Sequence, residues 1–351
     1  MGLPAAASTL LLHAPPVPET ARTTRGARRA GAVDGSALPR GPLCIVVNAG
    51  SGRDAAGERL QTLRDLLETH GLRYRVFEVH DAHQLHAVAR QAVEVAEAQD
   101  GVIVGAGGDG TLNAVVQSAR HSTQPLAILP QGTFNYFGRG LGISSDLGQT
   151  VAGLKDAEIV DTQIGLVNDH AFLVNASLGL YPDLLEQREA DKQRYGRSRA
   201  VAFWSAARTL LGQHPCMTLQ IVAQDGTTRS VRTPTLFVGN SALQLERVGI
   251  DEATAVDHGQ LAAVLVREVS RSRMLGLMLR GAIGRLGAAE SVDSFAFREL
   301  TVQTDQRGRR RRVKVACDGE TVWLQTPLSF QVAPKPLRML LPRKRADGDP
   351  G

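Results

Sequence analysis

Three short stretches of this 351-residue sequence combine glycine with amide, hydroxyl and carboxylate side chains: Asn48-Ala-Gly-Ser-Gly52, Gly105-Ala-Gly-Gly-Asp-Gly-Thr-Leu-Asn113 and Pro130-Gln-Gly-Thr-Phe-Asn135. Glycine lets successive backbone N–H groups converge on one concavity, and a helix that follows adds the positive end of its dipole. Such a concavity suits phosphate oxygens, with the hydroxyls and amides nearby to orient them. One glycine-rich turn carries little weight, because turns use glycine for its backbone freedom alone. Three of them, each after an apolar run, point to a polyphosphate site. A fourth stretch, Cys317-Asp-Gly-Glu320, sets two carboxylates two residues apart. On its own it reads as an ordinary turn.

The elements that must position these loops follow from the periodicity. Leu43-Cys-Ile-Val-Val47 is a continuous apolar run, as a buried parallel strand requires. Leu60, Leu63, Leu66 and Leu67 form a helical stripe that ends at His70-Gly71, with glycine as the cap. Residues 74–79 alternate as a strand, 82–98 are helical, 101–104 form a strand, a helix starts near Thr111, and 126–129 form the next strand. Strand and helix in unbroken alternation predict an α/β domain with a parallel sheet. Ligands bind such sheets at the carboxyl ends of the strands, where all three loops lie. From about residue 166 the texture changes. Residues 167–177, 217–223, 229–239, 260–266, 295–304, 313–316 and 321–324 read as strands, with helices only near 184–212 and 270–287. That predicts a β-rich second domain, a sandwich or partly closed barrel.

The second loop formally matches the dinucleotide fingerprint, Gly105-x-Gly107-x-x-Gly110, between a strand and a helix. That reading fails, because Asp109 would repel a pyrophosphate unless a cation lay between them. No acidic residue ends the next strand to hold a ribose. A Mg²⁺-dependent phosphoryl-transfer site tolerates Asp109, since the metal takes hard oxygen ligands directly or through water. The first loop is not a Walker P-loop either, because Gly57 is followed by Glu58.

Charge and composition exclude other classes. The net charge is +5, but residues 1–42 carry +3, the run Arg307, Arg309, Arg310, Arg311, Arg312 and Lys314 carries +6, and residues 343–351 carry +1. The remainder is therefore −5, a mildly acidic body with one cationic block. A nucleic-acid-coating protein would spread its charge along a binding face, so no nucleic-acid partner is expected. Cys44, Cys216 and Cys317 are too scattered for a zinc site and suit buried positions in a reducing compartment. No apolar run reaches the roughly 18 residues that span a bilayer. Residues 5–14 are apolar, but no Lys or Arg precedes them as a signal peptide requires, and 1–41 read as a disordered leader.

Taken together, Asn-x-x-Ser-Gly, Gly-Gly-Asp-Gly-Thr-x-Asn, Gly-Thr-x-Asn and the late Asp-Gly-Glu resemble the lipid-kinase superfamily of diacylglycerol, sphingosine and ceramide kinases. The bacterial soluble members are nearest. The resemblance covers roughly residues 43–342. It implies a nucleotide-binding diacylglycerol kinase catalytic domain at 42–165, with 331–342 returning to it, a β-sandwich lipid-substrate domain at 166–330, and a tail at 343–351. It implies ATP and Mg²⁺ as cofactors and transfer of the γ-phosphate to a hydroxyl of diacylglycerol or a related lipid. Carried over residue by residue, it places Asn48, Ser51, Gly52, Gly107, Gly108, Asp109, Gly110, Thr111, Asn113, Gly132, Thr133 and Asn135 around the nucleotide, with Asp109 toward Mg²⁺. Glu320 becomes the base for the lipid hydroxyl, with Asp318 beside it, and paired carboxylates raise each other's pKa.

The sequence departs from the family at several points. Tyr136 stands where an acidic residue is common. His258, in Val256-Asp-His-Gly259, replaces the Asp of a structural cation site, leaving Asp257 as the substitute ligand. A neutral imidazole is a poor Mg²⁺ ligand. His80, His83 and His86 recur every third residue but read as a solvated helix start, with no further ligand to complete a metal set. The cationic block lies just before Glu320 and predicts a cytoplasmic protein held peripherally at an anionic membrane. Two other readings stay open: a kinase of a soluble metabolite or NAD on the same scaffold, and a non-catalytic, membrane-associated nucleotide-binding protein. The sequence also leaves a homodimer open.

Overall fold

The computed structural model describes residues 33–34, 39–48, 53–130, 136–179, 216–223, 226–270, 273, 276–277, 280, 284–304 and 311–343. The expectations for the leader before residue 33, for Ser51, Gly52, Gly132, Thr133, Asn135, Arg307, Arg309 and Arg310, for the helix 184–212, and for the tail beyond 343 lie outside these residues.

The first domain contains β1 (Val33–Asp34), β2 (Leu43–Asn48), α1 (Arg53–Thr69), β3 (Tyr74–Val79), α2 (Leu85–Ala98), β4 (Val102–Gly107), α3 (Asp109–Ala119), β5 (Leu126–Pro130), α4 (Tyr136–Gly140), α5 (Leu147–Gly153) and β6 (Ala157–Thr162). Side chains leave a strand on alternate faces, and both faces of this sheet are covered. Cys44 and Val46 of β2 pack with Ala92 and Ala96 of α2 and with Leu112 and Val116 of α3. Ile45 and Val47 point the other way, onto Leu63 and Leu67 of α1 and Val151 of α5. Burial on both faces explains why these strands are continuously apolar.

The second domain contains β7 (Gly165–Val167), β8 (His170–Phe172), β9 (Asn175–Gly179), β10 (Met217–Ala223), β11 (Thr228–Thr233), β12 (Thr235–Gly239), α6 (Ala242–Val248), α7 (Ala253–Val256), β13 (Leu261–Val266), β14 (Val292–Phe297), β15 (Glu299–Gln303), β16 (Arg312–Cys317), β17 (Glu320–Gln325) and β18 (Leu328–Val332). They form two six-stranded antiparallel sheets, β11-β10-β15-β18-β7-β8 and β14-β13-β12-β9-β16-β17. Between them lies an apolar core that includes Phe172, Leu178, Leu219, Leu236, Val315 and Phe330. The two-layer sandwich anticipated from the strand spacing is what the chain forms.

The last strand, β19 (Leu337–Pro342), joins the first domain's sheet, whose order is β1-β6-β19-β5-β4-β2-β3. It runs parallel to β5 and antiparallel to β6. The sheet is thus parallel through β3, β2, β4, β5 and β19; β6 runs antiparallel beside β19, and β1, antiparallel to β6, ends that side in the direction of the others. Strand β6 escapes the sequence pattern, because Glu158 and Asp161 interrupt its short apolar alternation. The stretch 167–177, read as one strand, breaks into the end of β7, then β8 and β9. Two bent residues, Leu173 and Val174, separate β8 from β9, and their amides turn aside toward a carboxylate described below. Helices α6 and α7 were also not anticipated; they lie on the outer face of the second sheet, where Leu245 and Ile250 pack on Ala262 and Val264.

All three cysteines are free, with Cys44 and Cys317 buried. Among the described residues no helix is long and apolar enough to cross a membrane.

Met339 is fully buried in β19, between Leu126 of β5 and Val160 of β6. Met339→Ala should cost about 2–5 kcal/mol in urea unfolding of the whole chain, because the first domain's sheet closes only through this C-terminal strand.

Candidate active site

Strand β4 ends at Gly107, and α3 begins two residues later at Asp109, with Gly108 as an extended N-cap that has no side chain to offer. The first-turn N–H groups of α3 therefore lack a side-chain cap and face the sheet's carboxyl edge, as an anion site requires. Thr111 folds back over Gly107 so closely that a Cβ there would stand 2.6 Å from its hydroxyl oxygen. Only glycine fits. A Cβ on Gly110 would stand 2.7 Å from Oε1 of Glu320. The glycine at 110 thus makes room for a carboxylate that arrives from the other domain.

Glu320 is delivered by a tight hairpin. Cys317 of β16 pairs with Glu320 of β17, and the two residues between them, Asp318 and Gly319, have φ of 49° and 89°. Positive φ at both positions of a two-residue loop favours Asp-Gly, whose twist matches the flanking strands. The stretch that reads as an ordinary turn is a turn, and its geometry aims Glu320 at α3.

Asp318 pins that hairpin. Its Oδ2 accepts from the backbone N–H of Leu173 at 2.7 Å and from Nδ2 of Asn113 at 2.7 Å. Its Oδ1 accepts from the N–H groups of Val174 at 2.8 Å and Asn175 at 3.0 Å. Four donors on one carboxylate leave it no capacity for proton transfer, so Asp318 is a positioning residue. Burial raises its pKa, and the four donors offset that rise only in part.

The expectation that Asn113 touches phosphate is also corrected. Asn113 is buried, and besides Asp318 its amide donates to the carbonyl of Ala171 at 3.2 Å. One turn on, Gln117 clasps the same residue from both sides: its Nε2 donates to Ala171 O at 2.6 Å, and its Oε1 accepts from Ala171 N at 3.2 Å. Asn113 and Gln117 bolt α3 to β8.

The acidic groups share an environment. Burial raises the pKa of Asp109, the charge of Asp318 raises it further, and an N–H from Tyr136 partly offsets both. Oδ1 of Asp109 is buried without a hydrogen-bond partner. Glu320 has exposed surface as a residue, yet enclosure of its carboxylate raises its pKa. His86 lowers it again, and Asp318 raises it. Desolvation, rather than repulsion between the paired carboxylates, is the leading cause. His86, exposed on α2 as a solvated helix start should be, nevertheless lies near enough for its charge to act on Glu320. Nothing in its local spacing on α2 signals a partner more than 200 residues away.

Other expected site residues fall as follows. Asn48 ends β2 at the same sheet edge. Tyr136 is bridged to the second domain by Arg247 of α6, whose Nη1 donates to the phenol oxygen at 3.3 Å and whose guanidinium lies 5.3 Å from the ring centroid. Asp257 is exposed at the end of α7, and Nδ1 of His258 is engaged with Thr254 O at 2.7 Å. The Arg298 guanidinium stands 3.3 Å from where a Gly259 Cβ would be, which puts a cation beside the expected cation site. Among the described residues no group of three His, Cys, Asp or Glu could hold a metal, so the structural site expected at Asp257 finds no ligand set.

A carboxylate poised on the first turn of a glycine-led helix, between an α/β domain and a sandwich, is matched by two family models. Residues 42–167 match the diacylglycerol kinase catalytic domain, and 182–341 match the YegS C-terminal NAD kinase beta sandwich-like domain. The chain thus carries a diacylglycerol kinase catalytic domain followed by a YegS-type C-terminal domain. A Staphylococcus aureus (strain JH9) protein named "Putative lipid kinase" is 25% identical over 238 residues, covering 67% of this chain and 75% of that protein. The crystal structure of a diacylglycerol kinase from Bacillus anthracis str. Sterne is similar in fold at 16% identity, with a TM-score of 0.60 over 87% of this chain and 98% of that one. This is a lipid-kinase-like family, and the chain is a kinase-family protein with the family's two-domain fold.

Because the pKa of Glu320 is raised in the folded chain, its ionised form opposes folding; the associated stability is present at low pH and lost as pH rises through the folded pKa. Glu320→Gln should therefore leave the melting temperature at neutral pH unchanged or higher. Asp318→Asn turns an amide toward backbone donors and should cost about 2–4 kcal/mol. Thermal unfolding of both variants at neutral pH checks the contrast.

Proposed function

We propose that this chain transfers the γ-phosphate of ATP, with Mg²⁺, to a hydroxyl of diacylglycerol or a related lipid. The observation that carries the reading is the contact between Glu320 and Gly110: a carboxylate from one domain rests on the phosphate-binding helix start of the other.

The residues present fit both cofactors. Gly107, Gly108 and Gly110 leave the backbone of the α3 N-terminus open to phosphate oxygens, with Thr111 behind them and Asn48 at the neighbouring strand end. Ser51, Gly52, Gly132, Thr133 and Asn135 belong to the same loops by sequence. The unpartnered, buried Oδ1 of Asp109 is the hard oxygen that a Mg²⁺ ion, or its water, would take. When bound, that ion neutralises charge on the phosphates and favours their transfer.

The remaining chemistry belongs to protein groups. An alcohol is a weak nucleophile at neutral pH, and Glu320, its carboxylate destabilised by burial and so more basic than an ordinary glutamate, accepts the hydroxyl proton. Asp318 holds the turn that aims it. Oδ1 of Asn175 and Oγ of Ser177, both buried without partners, share the face of β9 opposite Ala176 and Leu178. They lie one strand away from the hairpin and offer polar contacts to an acceptor's oxygen atoms. Tyr136, occupied by Arg247, is the observation on the side of a non-catalytic nucleotide-binding protein, since it supplies no carboxylate.

Labelled ATP, Mg²⁺ and mixed micelles of diacylglycerol, ceramide, sphingosine or phosphatidylglycerol, with NAD as a soluble comparator, test the reading. Transfer to a lipid is expected. Transfer to NAD alone, or nucleotide binding without transfer, would replace it. Glu320→Gln should lower turnover roughly 10²–10⁴-fold with ATP binding kept. The acid limb of kcat/KM should lie above the ordinary glutamate range and move higher in His86→Ala, because the charge of His86 lowers the Glu320 pKa.

A further inference from the structure

The β16–β17 hairpin that delivers Glu320 also presents an outer face. On its inner face Val313, Val315, Val322 and Leu324 pack into the sandwich core. Alternation sends Arg312, Lys314, Trp323 and Gln325 to the other side, where Lys314 pairs with Trp323 and Arg312 with Gln325. Among the described strands β17 is the edge of its sheet.

Trp323 is 55% exposed and is the only large hydrophobic side chain exposed among the described residues. The ammonium of Lys314 stands 5.5 Å from its ring centroid. Arg312 is exposed beside them, and the sequence adds Arg307, Arg309, Arg310 and Arg311 just upstream, with no acidic residue from 306 to 317. An exposed indole with a lysine over its ring and an exposed arginine on the same face is the composition that settles at the headgroup level of an anionic bilayer. Trp323 lies three positions along β17 from Glu320, roughly 10 Å at about 3.3 Å per residue and on the opposite face of the strand, so a docked bilayer would lie alongside the hairpin that carries the base.

We propose that the outer face of this hairpin docks on an anionic lipid bilayer, with Trp323 in the headgroup layer and Arg312 and Lys314 on the headgroup charges. The proposal rests on a lipid acceptor for its biological sense, but its test does not depend on transfer. The alternative, single-stranded nucleic acid stacking on Trp323, is less favoured because one ring offers no row of stacking platforms.

The experiment is sedimentation of the full chain with mixed phosphatidylglycerol and phosphatidylcholine vesicles, and with phosphatidylcholine vesicles alone. Binding should need phosphatidylglycerol and weaken with salt. Trp323→Ala should lower affinity roughly tenfold, and Arg312→Glu and Lys314→Glu about fivefold for each charge removed. All three are surface changes, and each should keep wild-type turnover on a micellar lipid, which also reports folding. In a Trp204→Phe background Trp323 is the sole indole, and its emission should shift to the blue on vesicles. Glu320→Gln should bind vesicles as wild type does, so loss of transfer alone overturns the proposed reaction and leaves docking standing. Docking falls if wild type ignores anionic vesicles, if these variants bind as tightly as wild type, or if a single-stranded oligonucleotide competes the vesicles away.

Discussion

The arrangement depends on one carboxylate. Asp318 gathers three consecutive backbone N–H groups, from Leu173 to Asn175, and the amide of Asn113. Three structural units meet there: the helix that follows the glycine loop, the bend between β8 and β9, and the hairpin that carries Glu320. An ionised oxygen pair is a stronger acceptor than any neutral group, so four donors can be satisfied where a turn alone would leave them buried and unpaired. Remove the charge, and the bend, the hairpin and the helix lose the reason for their relative placement.

The same economy makes the site electrostatically tense. Asp109, Asp318 and Glu320 all have raised pKa values with burial as the leading cause, and Asp318 has the most donors to offset it in part. Asp109 has an N–H from Tyr136 and one empty oxygen; Glu320 has the distant help of His86. Stability is thus given up at the groups that would meet a cation and a proton, while the group that meets neither is fully bonded. That division is why the two carboxylates of Asp-Gly-Glu, only two residues apart, take separate roles.

Much of this was legible in the sequence. The alternating strands and helices, the glycine loops at strand ends and the change of texture near residue 166 are local signals, set by periods of 2 and 3.6 residues and by the turn chemistry of glycine. What escaped was non-local. Asn113 looked like a phosphate ligand because it sits in the glycine loop's motif, yet its partner lies 205 residues away. The break between β8 and β9 has no glycine or proline to announce it; it exists because three amides are claimed by Asp318. His86 is unremarkable on its helix and meaningful only beside Glu320. Arg298 reaches the space beside Gly259 for the same reason, since the bend between β14 and β15 that carries it is remote in sequence. The Trp323 face, by contrast, follows from strand alternation once the hairpin's register is known.

Through the Asn113–Asp318 bond, the hairpin of one domain holds Glu320 on the first turn of α3 in the other, and the proposed transfer depends on that placement. A double-mutant cycle on turnover, with Asn113→Ala, Asp318→Ala and the pair, measured at saturating nucleotide, tests it most directly. If the two residues act through their shared bond, each single variant loses turnover and the double variant is no worse than the worse single. Losses that multiply would mean that the two side chains act independently, and the account would fail.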